Sequence, residues 1–252
     1  MYRIRVLDRV FKLLDILAKD NRELGLVEIT NGLGLHKSSV HRLLMVLEDF
    51  QYVSRNPVTG KYGLGGKLIE LGMKAVSRLD LYQAARPYLE RLVAGTGETA
   101  HVGVLREGEI ISVVNVQSSQ TLRLPSTVGR RAPVHCSSLG KAILAFLPES
   151  EVRDVLGTRA FKAYTRKTII KPVLLRKELK KVREQGYACD DEEFEEGLRC
   201  IGAPIRDHTG KVIAAISIAG PAFRLKDERL PGLVRAVKEA ATALSVNLGY
   251  PQ

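Results

Sequence analysis

Residues 27–50 read VEITNGLGLHKSSVHRLLMVLEDF, and this stretch decides the fold of the first part of the chain. Residues 27–33 predict a short helix, residues 34–36 a turn, and a longer helix begins at Lys37, with Lys37 or Ser38 placed to cap it. Its apolar residues recur at the spacing of one buried helical stripe: Val40, Leu43, Leu44 and Leu47. Such a helix pair is typical of a DNA-binding helix-turn-helix, with an ordinary helical hairpin as the alternative.

A predicted β-hairpin directly follows the second helix. Residues 51–55 and 61–64 form two short β-prone runs around the turn sequence NPVTG. A hairpin in this position is a wing, whose basic flanks would contact phosphates. Double-stranded DNA is therefore the expected partner. The candidate contacts are Lys37, Ser38, Ser39, His41, Arg42 and Met45 on the helix and Arg55 and Lys61 on the wing.

Composition supports a globular protein with a polyanionic partner. The 252 residues carry a formal net charge of +11. No stretch approaches the ~20 apolar residues of a membrane span, and the N-terminus lacks the apolar core of a signal peptide. The three cysteines, Cys136, Cys189 and Cys200, form no CxxC pair, which favours reduced thiols in a cytoplasm.

The remaining pattern predicts an α+β protein with three parts. Residues 1–65 form the winged helix-turn-helix domain, with a first helix at residues 2–19 beneath it. Residues 66–80 form a linker helix that pairs with its twin in a dimer, or else belongs to the next domain. Residues 81–252 form a domain with a mainly antiparallel sheet. Its predicted helices are residues 81–94, with a kink or the start of a second helix at Pro87, a helix that follows residues 135–138 and ends at 146, and residues 173–185 and 225–248. Its predicted strands are residues 99–105, 110–116, 121–124, 186–189, 201–206 and 212–219.

Two charge runs stand out in the second half of the chain. Residues 159–183 are strongly basic, and residues 190–196 (DDEEFEE) are acidic. Such runs are usually solvated faces. A second possibility is that they attract each other within an oligomer.

Several separated motifs together resemble the IclR family of bacterial transcriptional regulators. These are the winged-helix stretch, the TGET sequence at residues 96–99, HCSSLGKA at residues 135–142, and the spacing of residues 186–207. The resemblance covers nearly the whole chain. Two positions depart from the family pattern: Arg206 stands where an aromatic residue or His is usual, and Thr30 replaces a small Ala.

The resemblance implies a GAF-like C-terminal domain that binds a small organic acid as effector. It also implies a homo-oligomer, a dimer or a dimer of dimers, and no cofactor. A repressor acting at a pseudo-palindromic operator is expected, with an activator as the alternative. Family pocket positions map onto Leu124, Ala132, Ser138, Leu139, Asp190, Leu198, Cys200, Ser217 and Ala219. Ser137 joins them because it opens a helix whose N–H groups suit an anion, although a plain N-cap explains it equally well.

Other functional classes rest on weaker patterns. An enzyme would need a Cys-His or Ser-His-Asp arrangement drawn from His135, Cys136, Ser137, Asp190 and Cys200. No GxSxG, HExxH or phosphate-loop motif supports one. A zinc site would draw on His135 and the three cysteines, which lack metal-ligand spacing. A constitutive or metal-dependent DNA-binding regulator is the remaining alternative, and a constitutive one would leave the large second domain without a role.

Overall fold

The computed structural model describes residues 4–19, 22–77, 80–123, 127–157 and 161–251. The chain divides into two compact units, Met1–Arg78 and Leu79–Gln252. Among the described residues no helix has the length and apolar character needed to cross a membrane. Each unit is described separately below.

The first unit is a three-helix bundle with a small β-hairpin, as the sequence predicted. Its elements are α1 (Arg5–Lys19), α2 (Leu26–Leu33), α3 (Lys37–Asp49), β1 (Val53–Arg55), β2 (Tyr62–Leu64) and α4 (Gly66–Ser77). The core joins α1, α2 and α3 to the hairpin through Leu13, Leu17, Leu24, Ile29, Val40, Leu44, Leu47, Val53 and Tyr62. An isolated bridge between Leu24 and Tyr62 ties the hairpin to the segment before α2.

Local chemistry explains the sharp turn between α2 and α3. Gly34 ends α2 with φ of 63°, a left-handed conformation that costs a residue without Cβ very little. At the other end of α2, the Glu28 carboxylate accepts the Gly25 N–H at 2.8 Å. The expectation that Lys37 or Ser38 caps α3 is wrong. His36 is the N-cap residue and makes no side-chain cap bond.

The second unit is a six-stranded sheet covered by helices on both faces. In chain order its elements are α5 (Asp80–Thr96), β3 (Thr99–Arg106), β4 (Glu109–Val116), β5 (Arg131–Pro133), α6 (Ser138–Leu144), α7 (Glu149–Leu156), α8 (Pro172–Gln185), β6 (Ala188–Asp191), β7 (Leu198–Arg206), β8 (Val212–Pro221) and α9 (Leu230–Asn247). The strand order is β5-β4-β3-β8-β7-β6, and every pairing is antiparallel. This confirms the α+β class.

Side chains of a strand alternate between the two faces of the sheet, and here both faces are buried. Ala214, Ile216 and Ile218 of β8 pack with α5 and α9 in one core. Ala215 lies on the other face, in the core that contains α6 and α8. Every second residue of the central strands therefore points toward α6, and these positions carry the polar residues described below.

Three differences separate the predicted elements from the observed ones. Pro87 lies inside one helix, α5, rather than dividing it. The strand expected at residues 121–124 is absent from residues 121–123, and Leu124 lies outside the described residues. The edge strand beside β4 is instead β5, which pairs with residues 109–111 and is too short to show an alternating pattern. Helix α7 was not predicted, because Val152 is its only buried residue.

The two charge runs interact within one chain. Lys167 Nζ lies 3.1 Å from Asp191 Oδ2 and 2.7 Å from Glu192 Oε1. Thr165 and Thr168 also donate to backbone carbonyls of residues 192 and 193. The acidic run is therefore a turn that the basic segment holds in place, and two of its acids, Asp190 and Glu193, are buried.

Candidate nucleic-acid interface and small-molecule cavity

The outward face of α3 is polar, and its side chains are free of the core. Lys37, Ser38, His41, Arg42 and Met45 are all exposed, while Ser39 is half-buried. The opposite face buries Val40, Leu44 and Leu47. The predicted DNA-contacting residues of the helix thus lie together on the face that the fold leaves open.

The wing is held by its own contacts. The Glu23 carboxylate accepts a hydrogen bond from the Asn56 amide at 3.0 Å and one from the Thr59 hydroxyl at 3.2 Å. Arg55 Nε donates to Gly60 O at 3.4 Å, and the guanidinium lies 5.6 Å from the Tyr62 ring centroid. Arg55 is therefore partly committed to the hairpin. Lys61 is exposed at the same hairpin.

A small cavity lies between α6 and the face of the sheet that α6 covers. Its volume is about 60 Å³, enough for a few water molecules or one small organic molecule. Of the predicted effector-contacting residues, Ala132, Ser137, Ser138, Leu139, Asp190, Leu198 and Cys200 line it. Its other lining residues are His101, Ile110, Ser112, Arg130, Phe194 and Glu195.

Three predicted effector residues do not line this cavity. Ser217 is fully buried behind it, where its hydroxyl hydrogen-bonds that of Ser138 at 2.9 Å. Ala219 is also buried and lies opposite Cys200 in the sheet. Leu124 is outside the described residues. Ser217 and Ala219 therefore support lining residues and do not contact the cavity themselves.

Ser137 is an N-cap, the plainer of its two interpretations. Its Oγ accepts the Gly140 N–H at 3.2 Å and donates to Pro133 O at 2.6 Å. A hydroxyl with both of these bonds has little capacity left for a ligand. Ser138, whose hydroxyl is bonded to Ser217, is likewise partly satisfied from within the protein.

Asp190 is buried and lines the cavity, so it does not belong to a solvent-exposed face of the acidic run. It is 4 % exposed, and its Oδ1 accepts N–H groups from Glu193 at 2.8 Å and Phe194 at 3.3 Å. Burial raises the pKa of this carboxyl to about 7, with the nearby Glu193 adding to the rise. Asp190 therefore titrates near neutral pH.

A buried ion pair lies next to Asp190. Lys141 of α6 is fully buried and donates to Glu193, and its Nζ is 3.5 Å from Glu178 of α8. Burial lowers the Lys141 pKa, but the carboxylates outweigh this, so the net shift is upward. The pair joins α6, α8 and the acidic turn at one point. The HCSSLGKA motif thus contributes Ser137, Ser138 and Leu139 to the cavity wall and Lys141 to the buried ion pair.

The polar residues His101, Ser112 and Arg130 were missed by sequence reasoning. His101 and Ser112 stand inside apolar strands, where single polar residues attract little notice. Arg130 precedes an edge strand that was not predicted. One usable signal was the alternation along the predicted strand. His101 and Gly103 alternate with Val102 and Val104, which indicates that one face of the strand is not purely apolar.

The alternative chemistries lack a suitable arrangement. Burial raises the pKa values of Cys136 and Cys200 and that of Cys189 to about 11, so these thiols are protonated at neutral pH. His135 Nε2 lies 3.1 Å from Lys162 O, and its ring stacks on Phe161. Within the described ranges, no group of three or more His, Cys, Asp or Glu side chains is placed to hold a metal ion.

The helix-turn-helix with its wing and exposed polar face defines the class: a DNA-binding transcriptional regulator. Residues 6–57 match the profile of the IclR helix-turn-helix domain, and residues 73–246 match the profile described as bacterial transcriptional regulator IclR C-terminal. The chain belongs to the IclR family.

Individual relatives agree over the full length of the chain. HTH-type transcriptional regulator XynR of Escherichia coli K12 is 36% identical, covering 98% of each chain. Transcriptional repressor IclR of the same organism is 33% identical, covering 98% of this chain and 91% of its own. An IclR homologue of Microbacterium hydrocarbonoxydans, solved in complex with 4-hydroxybenzoate, has a TM-score of 0.84 at 29% identity, covering 96% of this chain and 98% of that one. These relatives are regulators, so the enzyme interpretations are set aside.

Proposed function

We propose that this protein is a repressor whose affinity for a pseudo-palindromic operator is controlled by a small organic acid bound in the α6 cavity. The observation that carries the proposal is the cavity itself, whose mainly apolar lining includes several polar side chains and which lies in a unit separate from the DNA-binding one. A relative of similar length is named a repressor, which favours repression over activation. The proposal implies a cytoplasmic protein, because its target is chromosomal DNA.

The proposed DNA contacts follow from the geometry of a winged helix. The exposed face of α3, with Lys37, Ser38, Ser39, His41, Arg42 and Met45, enters the major groove. There Arg42 is suited to a guanine edge. Lys61, with Arg55 beside it, meets phosphates from the wing and contributes affinity rather than sequence preference.

The proposed effector is small and acidic. A cavity of about 60 Å³ is well below the volume of drug-sized sites, so a molecule of few non-hydrogen atoms fits it best. The complex of an IclR homologue with 4-hydroxybenzoate supports a carboxylic acid as the class of ligand. Helices on both faces of an antiparallel sheet are in keeping with the GAF-like architecture expected of such a sensor unit.

Specific binding to two half-sites needs at least a dimer. The proposed seam uses apolar side chains that the first unit leaves exposed, Phe11 of α1 and Ile69 of α4. Residues 66–80 then act as the linker through which effector binding changes the spacing of the two DNA-binding units. A dimer of dimers through the second unit is the proposed final assembly.

The function is tested with two titrations on wild type and Leu139→Arg. A thermal-shift screen of small carboxylic acids selects the acid that stabilises wild type most, and binding of DNA upstream of the gene and its neighbours is measured with and without it. Leu139→Arg places a long charged side chain in the cavity, so it should lose the acid response and keep DNA binding. Leu174→Arg, on the exposed surface of α8, is the matched control.

Two results would contradict the proposal. Equal acid affinity in wild type and Leu139→Arg would remove the effector from this cavity. Equal acid affinity with and without DNA would leave the effector site but remove its coupling to the operator, since coupling is reciprocal.

A further inference from the structure

The polar residues that line the cavity fall into two groups by their hydrogen bonding. In one group, Ser138 Oγ and Asp190 Oδ1 already have protein partners. The other group is His101 of β3 and Ser112 of β4, and Arg130 lines the same cavity. Neither His101 Nδ1 nor Ser112 Oγ has a hydrogen-bond partner among the described residues, although both atoms are buried.

The sheet places His101 and Ser112 on the same face. Ala100, Val102 and Val104 of β3 pack into the core under α5 and α9, so His101 and Gly103 point the other way. Ser112 lies opposite Gly103 in the β3–β4 register, one step along the ladder from His101. Side chains in such diagonal positions lie within reach of one small group.

Two unpartnered buried atoms in one cavity indicate a missing partner, because burying a polar group without a hydrogen bond is unfavourable and rare in folded proteins. Ser112 is 6 % exposed, and its hydroxyl could have been replaced by Ala without loss of any bond in the structure. Burial, with the charge of Arg130 adding to it, lowers the pKa of His101 to about 4, so the imidazole is neutral at neutral pH. These groups are suited to hydrogen-bond a ligand.

Electrostatics decides which of these residues receives the carboxylate of a ligand. Arg130 Nη2 lies 3.6 Å from the carboxylate of Glu195, which is largely exposed, and the Arg130 charge is close enough to lower the pKa of His101. A carboxylate bound by Arg130, His101 and Ser112 gains the guanidinium and two hydrogen bonds. Beside Asp190, the same carboxylate would be repelled whenever Asp190 is ionised.

We propose that His101, Ser112 and Arg130 form the carboxylate subsite of the effector cavity, and that Ser138 and Asp190 bind a hydroxyl or carbonyl of the same ligand. The ligand is thus a short hydroxy or oxo acid. This assignment rests on the proposed function and places the carboxylate on side chains of the sheet and on Arg130 rather than on the N–H groups that open α6. Glu195 competes with the ligand for Arg130 and leaves it on binding.

The test compares acids with their neutral amides on the full-length protein. Lactate, glycolate and pyruvate are titrated calorimetrically beside lactamide, glycolamide and pyruvamide. Wild type should prefer the acids. Arg130→Gln should weaken the acids by about tenfold or more and leave the amides nearly unchanged, because a hydrogen-bonded charge is worth more than a neutral bond. Ser112→Ala should weaken the acids by several-fold.

Two further variants separate binding from folding. Glu195→Gln should bind the acids more tightly, since the competitor for Arg130 is gone. Ser112→Ala should unfold at the same or a higher temperature than wild type without ligand, because its hydroxyl bonds nothing in the structure, yet show a smaller stabilisation by lactate. If Ser112 had only a structural role, Ser112→Ala would instead unfold at a lower temperature than wild type without ligand and would be stabilised by lactate as much as wild type.

The outcomes distinguish this subsite from the proposed function. An unchanged preference for acid over amide in Arg130→Gln, with binding still abolished in Leu139→Arg, would leave the cavity in place and overturn the carboxylate subsite. Tight acid binding in Leu139→Arg would instead overturn the cavity. The subsite is supported if the preference for acids over amides falls in Arg130→Gln and Ser112→Ala and rises in Glu195→Gln.

Discussion

Arg42 lies at the centre of the exposed α3 face, between His41 and Met45 and one turn from Ser38. Arg42→Ala should cost about 1–3 kcal/mol at the operator and relax preference at one base position, because a bidentate contact to guanine is lost. Fluorescence anisotropy with operator variants measures both effects. Lys61→Ala is the comparison: it should weaken binding to all sequences and reduce the salt dependence. Operator affinity equal to wild type in Arg42→Ala would mean that another face reads the DNA.

Asp190 makes stability depend on pH in an unusual direction. Its pKa is 3.8 without the protein environment and about 7 in the folded state, so between these values the folded protein binds the proton more tightly. The free energy of unfolding should therefore fall as pH rises from about 4 to about 7 and then stay level. Asp190→Asn keeps an oxygen for the Glu193 and Phe194 N–H groups and removes the titration.

Urea unfolding at about pH 5 and about pH 8 measures this effect. Asp190→Asn should be more stable than wild type by about 1–3 kcal/mol at the higher pH, with a smaller difference at the lower pH. Glu196→Gln, at an exposed position of the same turn, controls for loss of a negative charge. A stability difference that does not change with pH would contradict a titrating Asp190.

At the scale of elements, α6 depends on close approach to its neighbours. A Cβ at Gly202 of β7 would lie 3.0 Å from the Ser138 carbonyl carbon, and one at Gly140 of α6 would collide with the Val134 backbone. Backbone atoms cannot shift to make room for a Cβ as the end of a flexible side chain can. These glycines let α6 lie directly on the sheet, which positions Ser138 and Leu139 as cavity walls.

Gly140→Ala should therefore destabilise the protein by about 1–3 kcal/mol, despite the better helix propensity of Ala. Gly232→Ala in α9 is the matched control, because a Cβ there meets nothing within 4 Å. That control should stabilise by up to about 1 kcal/mol. Chemical denaturation of both variants gives the comparison, and a gain in stability for Gly140→Ala would show that α6 can move away without cost.

At the scale of the whole molecule, assembly is the property to be tested first. Phe11 of α1 is 60 % exposed and Ile69 of α4 is 70 % exposed, and large apolar side chains on a surface often mark an interface. Phe11→Ser with Ile69→Ser should lower the mass found by light scattering and weaken operator binding. Val58→Ser, at a still more exposed apolar position of the wing, should keep the mass. Monomeric wild type, with and without DNA, would contradict the proposed dimer.

The sequence by itself determined the winged helix-turn-helix, the α+β class and the order of most helices and strands. These features have local causes: the apolar spacing of α3, the Gly34 turn, the NPVTG tip of the wing and the period-two pattern of the strands. The resemblance to a family added six residues that line the cavity, and the helix opening added Ser137. Short elements such as α7 and β5 escaped because they bury too little to leave a pattern.

Only the tertiary structure decided how the polar residues meet. His101, Ser112 and Arg130 come from two strands and a loop, and the antiparallel register with its shift after Val102 brings them to one cavity. The acidic run likewise divides into buried Asp190 and Glu193 and surface acids paired with Lys167. Which acids are buried, and which cation each one pairs with, depend on contacts between residues distant in sequence. A local sequence pattern does not show those contacts.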